Sequence, residues 1–286
     1  MESGDLRVFQ TVAREGTITR AAQRLGYVQS NVTSRIQQLE QELGTQLFVR
    51  HNRGMSLSAS GSMLLGYADK VIGLLDEAAR ALSASDEPGG PLRIGSTQTA
   101  AAVRLPKLLT HYHKLHPQVL LSVTTGHTQK LIDGVLQFEL DGAFISADCD
   151  HPELAVLSVF VEEMVIAAAA SPNEDQEQLL GKPIIVFTPG CSYRTILEQW
   201  IRDKGIMNPV LMEFGTLEAI IGGVSAGLGI SLMPKSLLDH HTADGTIASF
   251  PLSAEPTYMR TNFITRKDSF QSSALQAFIR ELAVQA

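Results

Sequence analysis

Cysteine is scarce in this sequence, since the 286 residues contain only Cys149 and Cys191. Two cysteines are too few for a disulfide framework, and neither belongs to the CxxC or Cys/His spacing of a structural zinc site. The histidines lack HExxH spacing, and His111, His113 and His116 would fall on different faces of a helix. We therefore expect no metal site.

Long hydrophobic runs are also missing. The longest uncharged run, residues 219–234, has 16 residues and four glycines, so it is too short and too interrupted to cross a bilayer. The N-terminus has no apolar signal region. These absences predict a soluble cytoplasmic protein with no membrane partner.

The motifs of common enzyme classes are absent as well. There is no Gly-x-Ser-x-Gly elbow and no Walker loop, and Gly227-x-Gly229 is too short for a dinucleotide fingerprint. We therefore expect no catalytic residues, no enzyme activity and no cofactor. The rival interpretation is a substrate-binding or hydrolytic α/β domain joined to a DNA-binding segment, which turnover without DNA binding would favour.

Charge is distributed unevenly along the chain. The formal net charge of −7, taken alone, argues against nucleic-acid binding. Residues 1–60, however, hold seven arginines and five acidic residues, a net of +2, which leaves −9 for the remainder. The length of 286 residues allows about two domains. The pattern predicts a small basic head that meets an anionic partner and a larger acidic body with another task.

The basic head has the pattern of a helix-turn-helix. After a first helix that ends at Gly16, a second is predicted over Thr19–Leu25 and a third from about Val28 to Leu43. The outer face of the third helix carries amides, short hydroxyls and one arginine, which pair with base edges in the major groove. The alternative is an ordinary solvated helix, which usually shows Glu and Lys there. The predicted DNA-contacting residues of this helix are Gln29, Ser30, Asn31, Thr33, Ser34 and Arg35.

A stretch punctuated by Gly and Ser, residues 44–61, is short enough for a two-stranded wing. Arg50 and Arg53 lie within it. A wing arginine can enter a narrow minor groove or contact phosphate, so we add both residues to the predicted DNA interface.

Residues 61–85 are predicted to form a longer helix with a heptad-like apolar seam. Spacings of 4, 3, 4, 3 and 4 favour pairing of two copies of the chain. The alternative is an amphipathic helix that lies on its own domain. The seam consists of Leu64, Ala68, Val71, Leu75, Ala78 and Leu82.

Beyond a linker at residues 83–91, short apolar strands alternate with helices, which indicates an α/β region. Its candidate elements include a helix near residues 99–115 and strands at Met164–Ala170 and Tyr258–Thr265. Several strands are followed by hydroxyl residues that open a helix, and helix N-termini at the ends of strands bind anions. Simple N-capping is the alternative for each hydroxyl taken singly. Arg194, in the first turn of one such helix, favours a ligand carboxylate, so the body is predicted to bind a small anionic metabolite.

The head resembles the LysR-type transcriptional regulators, and a looser resemblance extends to the C-terminus. The matching residues of the head are Phe9, Val12, Ala13, Gly16, Thr17, Ile18, Ala21, Ala22, Leu25, Gln29, Ile36, Leu39, Glu40, Leu43, Gly44, Leu47, Phe48, Arg50, Arg53, Leu57, Ala59 and Gly61. Residues 227–234 resemble the Gly-x-Gly-Ile-x-x-x-Pro segment of the family's effector domain. The opening residues and the run Gln29–Thr33 resemble a subgroup that includes YofA and CzcR.

One departure concerns the third helix. Where the family commonly has Gln-Pro-Ala-(Leu/Val)-Ser-Arg-Gln-Ile, residues 29–36 are Gln-Ser-Asn-Val-Thr-Ser-Arg-Ile. Thr33 replaces the usual serine, and the arginine stands one position later, which is about 100° of helix rotation. The base contact of the usual arginine therefore does not transfer directly to Arg35.

The resemblance implies an α/β protein overall, with an all-α winged helix-turn-helix, a linker helix and a two-lobed effector domain similar to periplasmic binding proteins. Two crossover strands would join the lobes. The implied divisions are the DNA-binding domain 1–60, the dimerisation helix 61–85, a hinge 86–91 and the effector domain 92–286, with lobe I at about 92–162 and 266–286 and lobe II at about 163–265.

For function, the resemblance implies sequence-specific binding to double-stranded promoter DNA, assembly into a homodimer or homotetramer, and contact with RNA polymerase. A small effector of unknown identity would bind in the cleft between the lobes. By family position, the residues that line this cleft are Ser96, Thr97, Thr99, Thr128, Phe144, Cys191, Ser192, Tyr193, Arg194 and Thr216.

Cys191 raises a further alternative, because it precedes a helix start, a position that can lower the pKa of a thiol. Cys149 and Cys191 are 42 positions apart, unlike the close pair of the family's redox sensors. A thiol switch is therefore the less favoured interpretation.

Overall fold

The structure, a computed structural model, describes residues 1–51, 54–82, 87–171 and 176–285. These residues form two compact units, one made mainly of residues 1–82 and the other mainly of residues 87–285. Within the described ranges, no helix combines the length and the apolar character that crossing a membrane requires.

The first unit consists of a helical head, a small wing and a long helix. The apolar faces of the head helices meet in a core that includes Phe9, Val12, Val32 and Ile36. The elements are α1 (Ser3–Glu15), α2 (Ile18–Leu25), α3 (Gln29–Leu43), β1 (Phe48–His51), β2 (Gly54–Leu57) and α4 (Ala59–Leu82).

Glycines end the head helices where the sequence predicts. Gly16, Gly26 and Gly44 have φ angles of 69°, 68° and 64°, a left-handed conformation that costs glycine little and that closes a helix C-terminus. The wing is then fixed to α3, because the Glu40 carboxylate accepts hydrogen bonds from the backbone N–H groups of Leu47 (2.8 Å) and Phe48 (3.3 Å). The head therefore positions both the outer face of α3 and the wing.

The second unit is the α/β body. Its described elements, in chain order, are β3 (Gly90–Ser96), α5 (Gln98–Val103), α6 (Leu105–Leu115), β4 (Val119–Thr125), α7 (Thr128–Leu136), β5 (Gly142–Ile145), β6 (Leu154–Ala169), α8 (Gln176–Leu179), β7 (Ile184–Phe187), α9 (Ser192–Asp203), β8 (Leu211–Phe214), α10 (Leu217–Ser225), β9 (Ser231–Pro234), α11 (Lys235–Ala243), β10 (Ile247–Pro251), β11 (Thr257–Arg266) and α12 (Ser273–Gln285).

Two hydrophobic cores divide the body into lobes. The lobe I core includes Leu92, Tyr112 and Phe144, whereas the lobe II core includes Ile185 and Trp200. The main sheet has the order β10-β6-β11-β5-β3-β4, with β9 also paired to β6, and β7 and β8 form a separate parallel pair. The two-lobed α/β fold expected from the sequence is thereby confirmed.

Strands β6 and β11 belong to both lobes. They pair with each other in antiparallel fashion, and β11 also pairs with β5 of lobe I. The last residues of β6, from Met164 onward, pair with β9 and β10 of lobe II. These are the two crossover strands, and β6 starts ten residues before the strand expected at Met164–Ala170.

The helix expected over residues 99–115 is divided at Arg104. Arg104 ends α5 and precedes α6, whose first turn contains Pro106. Proline has no N–H to continue the hydrogen bonds of α5, so it is compatible with the start of a helix and not with an interior. The division leaves Arg104 at a junction, where its side chain reaches the crossover strand β6.

Two glycines of the segment 227–234 are explained by local structure, Gly227 by its backbone conformation and Gly229 by close packing. Gly227 has φ of 77°. A Cβ at Gly229 would lie 2.3 Å from the carbonyl oxygen of Pro183, which also accepts a hydrogen bond from the N–H of Ile230. Close backbone packing therefore requires glycine at position 229.

Gly229→Ala is expected to lower the free energy of unfolding of the body by about 1–3 kcal/mol, because the backbone must shift to admit the methyl group. Gly222→Ala, in α10, is the matched control, since its Cβ would meet no atom within 4 Å. Alanine should leave stability unchanged or raise it there by up to about 1 kcal/mol. Urea or thermal unfolding of the full chain measures both, and equal effects would contradict the packing argument.

Candidate functional site

The first turns of α3 present polar side chains to solvent. Gln29, Ser30, Asn31 and Ser34 are exposed, while Val32 on the same helix is buried in the head core. A recognition helix enters the major groove with its N-terminal residues foremost, so these exposed amides and hydroxyls stand where base edges would be contacted.

Two residues of the predicted set are engaged within the head instead. The Arg35 guanidinium donates to the Asp5 carboxylate at 2.8 Å and lies 6.0 Å from the centre of the Tyr27 ring. The Thr33 hydroxyl donates to the backbone oxygen of Gln29 at 2.9 Å. Arg35 therefore ties α3 to α1, and the expectation that it contacts DNA loses its geometric support.

The wing carries one described arginine. Arg50 lies exposed on β1, opposite Met55 of β2, and makes no hydrogen bond or ion pair with any residue in the described part of the chain. It is therefore available to an anionic partner. Arg53 was predicted to share this role and lies outside the described residues.

Helix α4 has two apolar sides. Leu64, Ala68 and Ile72 pack into the core of the head, and Ala68 is fully buried. On the same inner side the buried Asp69 carboxylate accepts from Gln10 (2.5 Å) and Arg14 (3.1 Å) of α1. Because Leu64 and Ala68 face the core of their own head, they are not available for contact with a second subunit.

The outer side of α4 forms a different apolar stripe. Of the predicted seam residues, Val71, Leu75, Ala78 and Leu82 are exposed. Three residues that the sequence analysis did not include, Met63, Tyr67 and Leu74, are also exposed, at 70%, 65% and 54%. We name as the α4 stripe Met63, Tyr67, Val71, Leu74, Ala78 and Leu82. It differs from the predicted seam at three positions, where Met63, Tyr67 and Leu74 replace Leu64, Ala68 and Leu75.

The interlobe cavity has a volume of about 340 Å³ and lies at the ends of β3, β4 and β7. Helices α7 and α9 begin at its wall, as the sequence predicts for an anion site. Six predicted cleft residues line it: Thr97, Thr99, Thr128, Cys191, Ser192 and Tyr193. The other described lining residues are Gln98, Thr125, Gly126, His127, Lys130, Ser146, Phe187, Thr188 and Gly215.

Four predicted cleft residues are not among the described lining residues of the cavity. Ser96 is fully buried, and its hydroxyl donates to the backbone oxygen of Thr97. Phe144 is fully buried in the aromatic core of lobe I, with its ring centre 4.8 Å from that of Phe263. Thr216 caps α10 by accepting from the N–H of Ala219 at 3.2 Å. For these three residues, core packing and capping are the roles that the structure supports.

Arg194 is the fourth. Its guanidinium donates to Glu198 (2.8 Å), to Glu213 (2.8 Å) and to the backbone oxygen of Phe187 (3.0 Å). Two carboxylates already neutralise its charge, and it is not among the lining residues of the cavity. The geometry therefore gives no support to a pairing of Arg194 with a ligand carboxylate, which stays a prediction.

Hydrogen bonds join the two lobes across the cavity. The hydroxyls of Thr99 in lobe I and Tyr193 in lobe II lie 2.7 Å apart and are buried. The side-chain oxygen of Gln98 accepts from the N–H of Leu217 at the start of α10, at 3.2 Å. The lobes are thus held together by polar contacts that line the cavity itself.

A buried carboxylate on β6 makes a second connection. Glu162, which is 7% exposed, accepts from the Arg104 guanidinium of lobe I and from the Ser236 hydroxyl of α11 in lobe II (2.7 Å). The Arg104 guanidinium also lies 5.6 Å from the centre of the Phe160 ring. Glu162 therefore bonds to both lobes from the strand that connects them.

Two acidic side chains of the cavity wall, Tyr193 and Cys191, are biased toward their neutral forms by raised pKa values. Burial raises the pKa of Tyr193 to about 12, although hydrogen bonding with Thr99 and Ser146 opposes the rise. Burial also raises the pKa of the Cys191 thiol, and this outweighs the backbone N–H groups of Tyr193 and Arg194 that favour the thiolate. The helix start thus favours the thiolate as expected, but burial reverses the net direction of the pKa shift.

Lys130 and His127 are the described lining residues that can carry a positive charge, and neither was predicted from the sequence. The signal was present, because Lys130 follows the predicted Thr128 by two residues in the first turn of α7. The aliphatic part of the Lys130 side chain lies beside Gly126, another lining residue, because a Cβ at Gly126 would be 3.6 Å from Lys130 Cδ. The Lys130 side chain therefore runs along the cavity wall.

Two family models match the chain. Residues 3–62 match the bacterial regulatory helix-turn-helix proteins of the lysR family, and residues 85–286 match the LysR substrate binding domain. Together these matches extend over both units, and they support the resemblance seen in the head residues.

Curated relatives and a solved structure agree with the models. YusT of Bacillus subtilis (strain 168), an uncharacterized HTH-type transcriptional regulator, is 65% identical over 279 residues, 98% of this chain and 94% of YusT. The HTH-type transcriptional regulator YofA of the same strain is 46% identical over 284 residues, 99% of this chain and 98% of YofA, which confirms the predicted subgroup. A full-length OxyR from Pseudomonas aeruginosa, solved as a cysteine-to-aspartate variant, has a TM-score of 0.74 at 26% identity, with 100% of this chain and 94% of that chain covered.

The raised pKa of Cys191 predicts slow alkylation. Iodoacetamide attacks the thiolate, and a raised pKa leaves less thiolate near neutral pH and more as pH rises toward the pKa. At pH 7.5 we expect native Cys191 to react at least about tenfold more slowly than in the urea-unfolded chain. Mass spectrometry of the labelled peptides measures this, and fast native labelling would restore the thiol-switch interpretation.

Proposed function

The chain belongs to the LysR family of transcriptional regulators, with a helix-turn-helix DNA-binding domain and an effector-binding domain. We propose that it recognises promoter DNA through the first turns of α3 and the wing, works as a dimer paired through α4, and responds to a small anion in the interlobe cavity. The observation that carries this proposal is the exposed polar face of α3 at Gln29, Ser30 and Asn31.

Base recognition falls to Gln29, Ser30, Asn31 and Ser34 in this proposal. Amides hydrogen-bond to adenine edges and hydroxyls to several bases or to phosphate. Arg50 in the wing supplies a cation for the phosphate backbone or a narrow minor groove. The ion pair with Asp5 removes Arg35 from this set.

Pairing through the α4 stripe supplies a second head. An exposed stripe from Met63 to Leu82 on one helix favours burial against a second copy of the same helix. The head has a small positive excess, so a single copy would bind DNA weakly and two linked copies far more tightly. Tetramer assembly and contact with RNA polymerase stay predictions of the resemblance.

A small anion is the ligand that the cavity favours. Lys130 and the N-termini of α7 and α9 supply positive potential, and none of the described lining residues is an Asp or Glu. Since the relatives are regulators, we propose that the ligand is bound without turnover. Binding would change the relative populations of lobe arrangements and, through them, the DNA complex.

The proposed division of roles on DNA can be tested with Asn31→Ala and Arg50→Ala. Asn31→Ala should change the preferred base at one position, with a loss of about 1–3 kcal/mol of discrimination. Arg50→Ala should weaken binding to all sequences and reduce the slope of log K against log salt by about 1. Sequences selected from a random DNA library, followed by titrations at several salt concentrations, measure both effects.

Arg202→Ala in α9 is the control for these titrations, because Arg202 is exposed in the body and, among the described residues, bonds only to Gln199. It should alter neither the preferred sequence nor the salt slope. If Arg50→Ala changed base preference and Asn31→Ala did not, the assignment of the two roles would be reversed.

The dimer proposal predicts that a charge in the α4 stripe separates the subunits. Tyr67→Glu or Leu74→Glu should convert the dimer to monomer in sedimentation velocity and lower DNA affinity at least about tenfold. Ser62→Glu, on an exposed position of α4 away from the stripe, should leave the dimer intact. A Tyr67→Glu protein that stays dimeric at micromolar concentration would rule out this seam.

A further inference from the structure

We infer that the interlobe cavity takes a hydroxy acid or an oxo acid that carries no ammonium group, in preference to the amino acid of the same carbon skeleton. This inference rests on the proposed binding of a small anion. It adds a selection rule that follows from which charges the cavity wall holds and which it lacks.

The wall can meet a carboxylate but offers no counter-charge to an ammonium group. Lys130 is exposed on the first turn of α7 and has no hydrogen-bond or ion-pair partner among the described residues. No Asp or Glu occurs among the lining residues that the structure describes. An ammonium group that left water for this cavity would lose hydration without gaining an anionic partner.

The remaining acidic groups of the wall do not fill this gap. The phenol of Tyr193, with its pKa raised to about 12, keeps its proton near neutral pH. Burial likewise raises the pKa of Cys191, so the thiol is neutral. Neither side chain supplies the negative charge that an ammonium group needs.

Hydroxyl groups supply what a hydroxy or oxo acid needs. Thr97, Thr125 and Thr188 line the cavity together with the hydroxyls of Thr128 and Ser192, which lie 3.5 Å apart. A hydroxyl both donates and accepts, so these groups can bond to the oxygen that replaces the amine of an amino acid. The volume of about 340 Å³ accommodates a small metabolite.

One carboxylate that could serve as the counter-charge of an amino acid is Asp148. It lines a neighbouring, more open cavity of about 640 Å³, together with Arg260, and the two cavities share Ser146 and Ser192. A ligand confined to the first cavity does not need Asp148, whereas an amino acid that reached across would. Asp148→Asn therefore separates the two binding modes.

The test uses the full chain and matched ligand pairs of equal skeleton: lactate with alanine, malate with aspartate, and 2-hydroxyglutarate with glutamate. Isothermal calorimetry and thermal shift at constant ionic strength measure binding. For at least one pair, we expect the hydroxy acid to bind at least tenfold more tightly than its amino acid. Lys130→Gln should weaken that binding at least tenfold, while Lys107→Gln, an exposed lysine of α6 outside the cavity, and Asp148→Asn should not.

The possible results distinguish a failure of the preference for hydroxy acids from a failure of anion binding itself. Amino acids that bind as tightly as their partners, with affinity lost in Asp148→Asn, would overturn the selection rule and leave anion binding intact. Hydroxy-acid binding that survives Lys130→Gln would overturn the charge argument. If no acid of either class bound, the anionic effector itself would fail, and the inference with it.

Discussion

One buried carboxylate bonds to both lobes of the body. Glu162 lies on the strand that passes between the lobes, and its two oxygens bond to Arg104 on one side and Ser236 on the other. Loss of a partner would leave a charge in a poorly hydrated place, which costs more than breaking a surface ion pair. Any lobe movement that separates α11 from the α5–α6 junction must therefore break a bond at Glu162, and the lobes are constrained where they join.

Elements of the fold could be predicted from the sequence where the features that determine them lie close together along the chain. The head elements follow from short-range features, namely apolar spacing and the terminating glycines Gly16 and Gly26, and they were predicted within a few residues. Strand β6 was predicted only over its last six residues, from Met164 onward. Residues 164–168 are continuously buried, whereas the first ten residues vary in burial and contain Glu162 and Glu163, whose partners come from distant segments. Sequence spacing cannot supply those partners.

The candidate sites show the same limit. Hydroxyls that follow strands, such as Thr97 and Thr128, were predicted because position along a strand determines the edge at which they lie. The pairing expected for Arg194 lacks support because Glu213 reaches it from β8, although Glu198, four residues on in the same helix, was a local warning. The α4 seam was misplaced because one helix serves two neighbours, and its inner apolar residues pack on the head.

The buried hydrogen bond between Thr99 and Tyr193 affects the concentration at which a ligand would occupy the cavity. A ligand that needs the lobes apart binds only the fraction of molecules in which this bond is broken, so its apparent affinity is lowered by that fraction. A hydrogen bond of this kind contributes about 1 kcal/mol, roughly a fivefold change in an equilibrium. In the proposed mechanism, weakening this contact would raise the apparent affinity of such a ligand by up to about that factor, and the contacts of Gln98 and Glu162 would act on the same equilibrium. Because Tyr193 also lines the cavity, this residue would affect both the ligand concentration that is required and the choice of ligand.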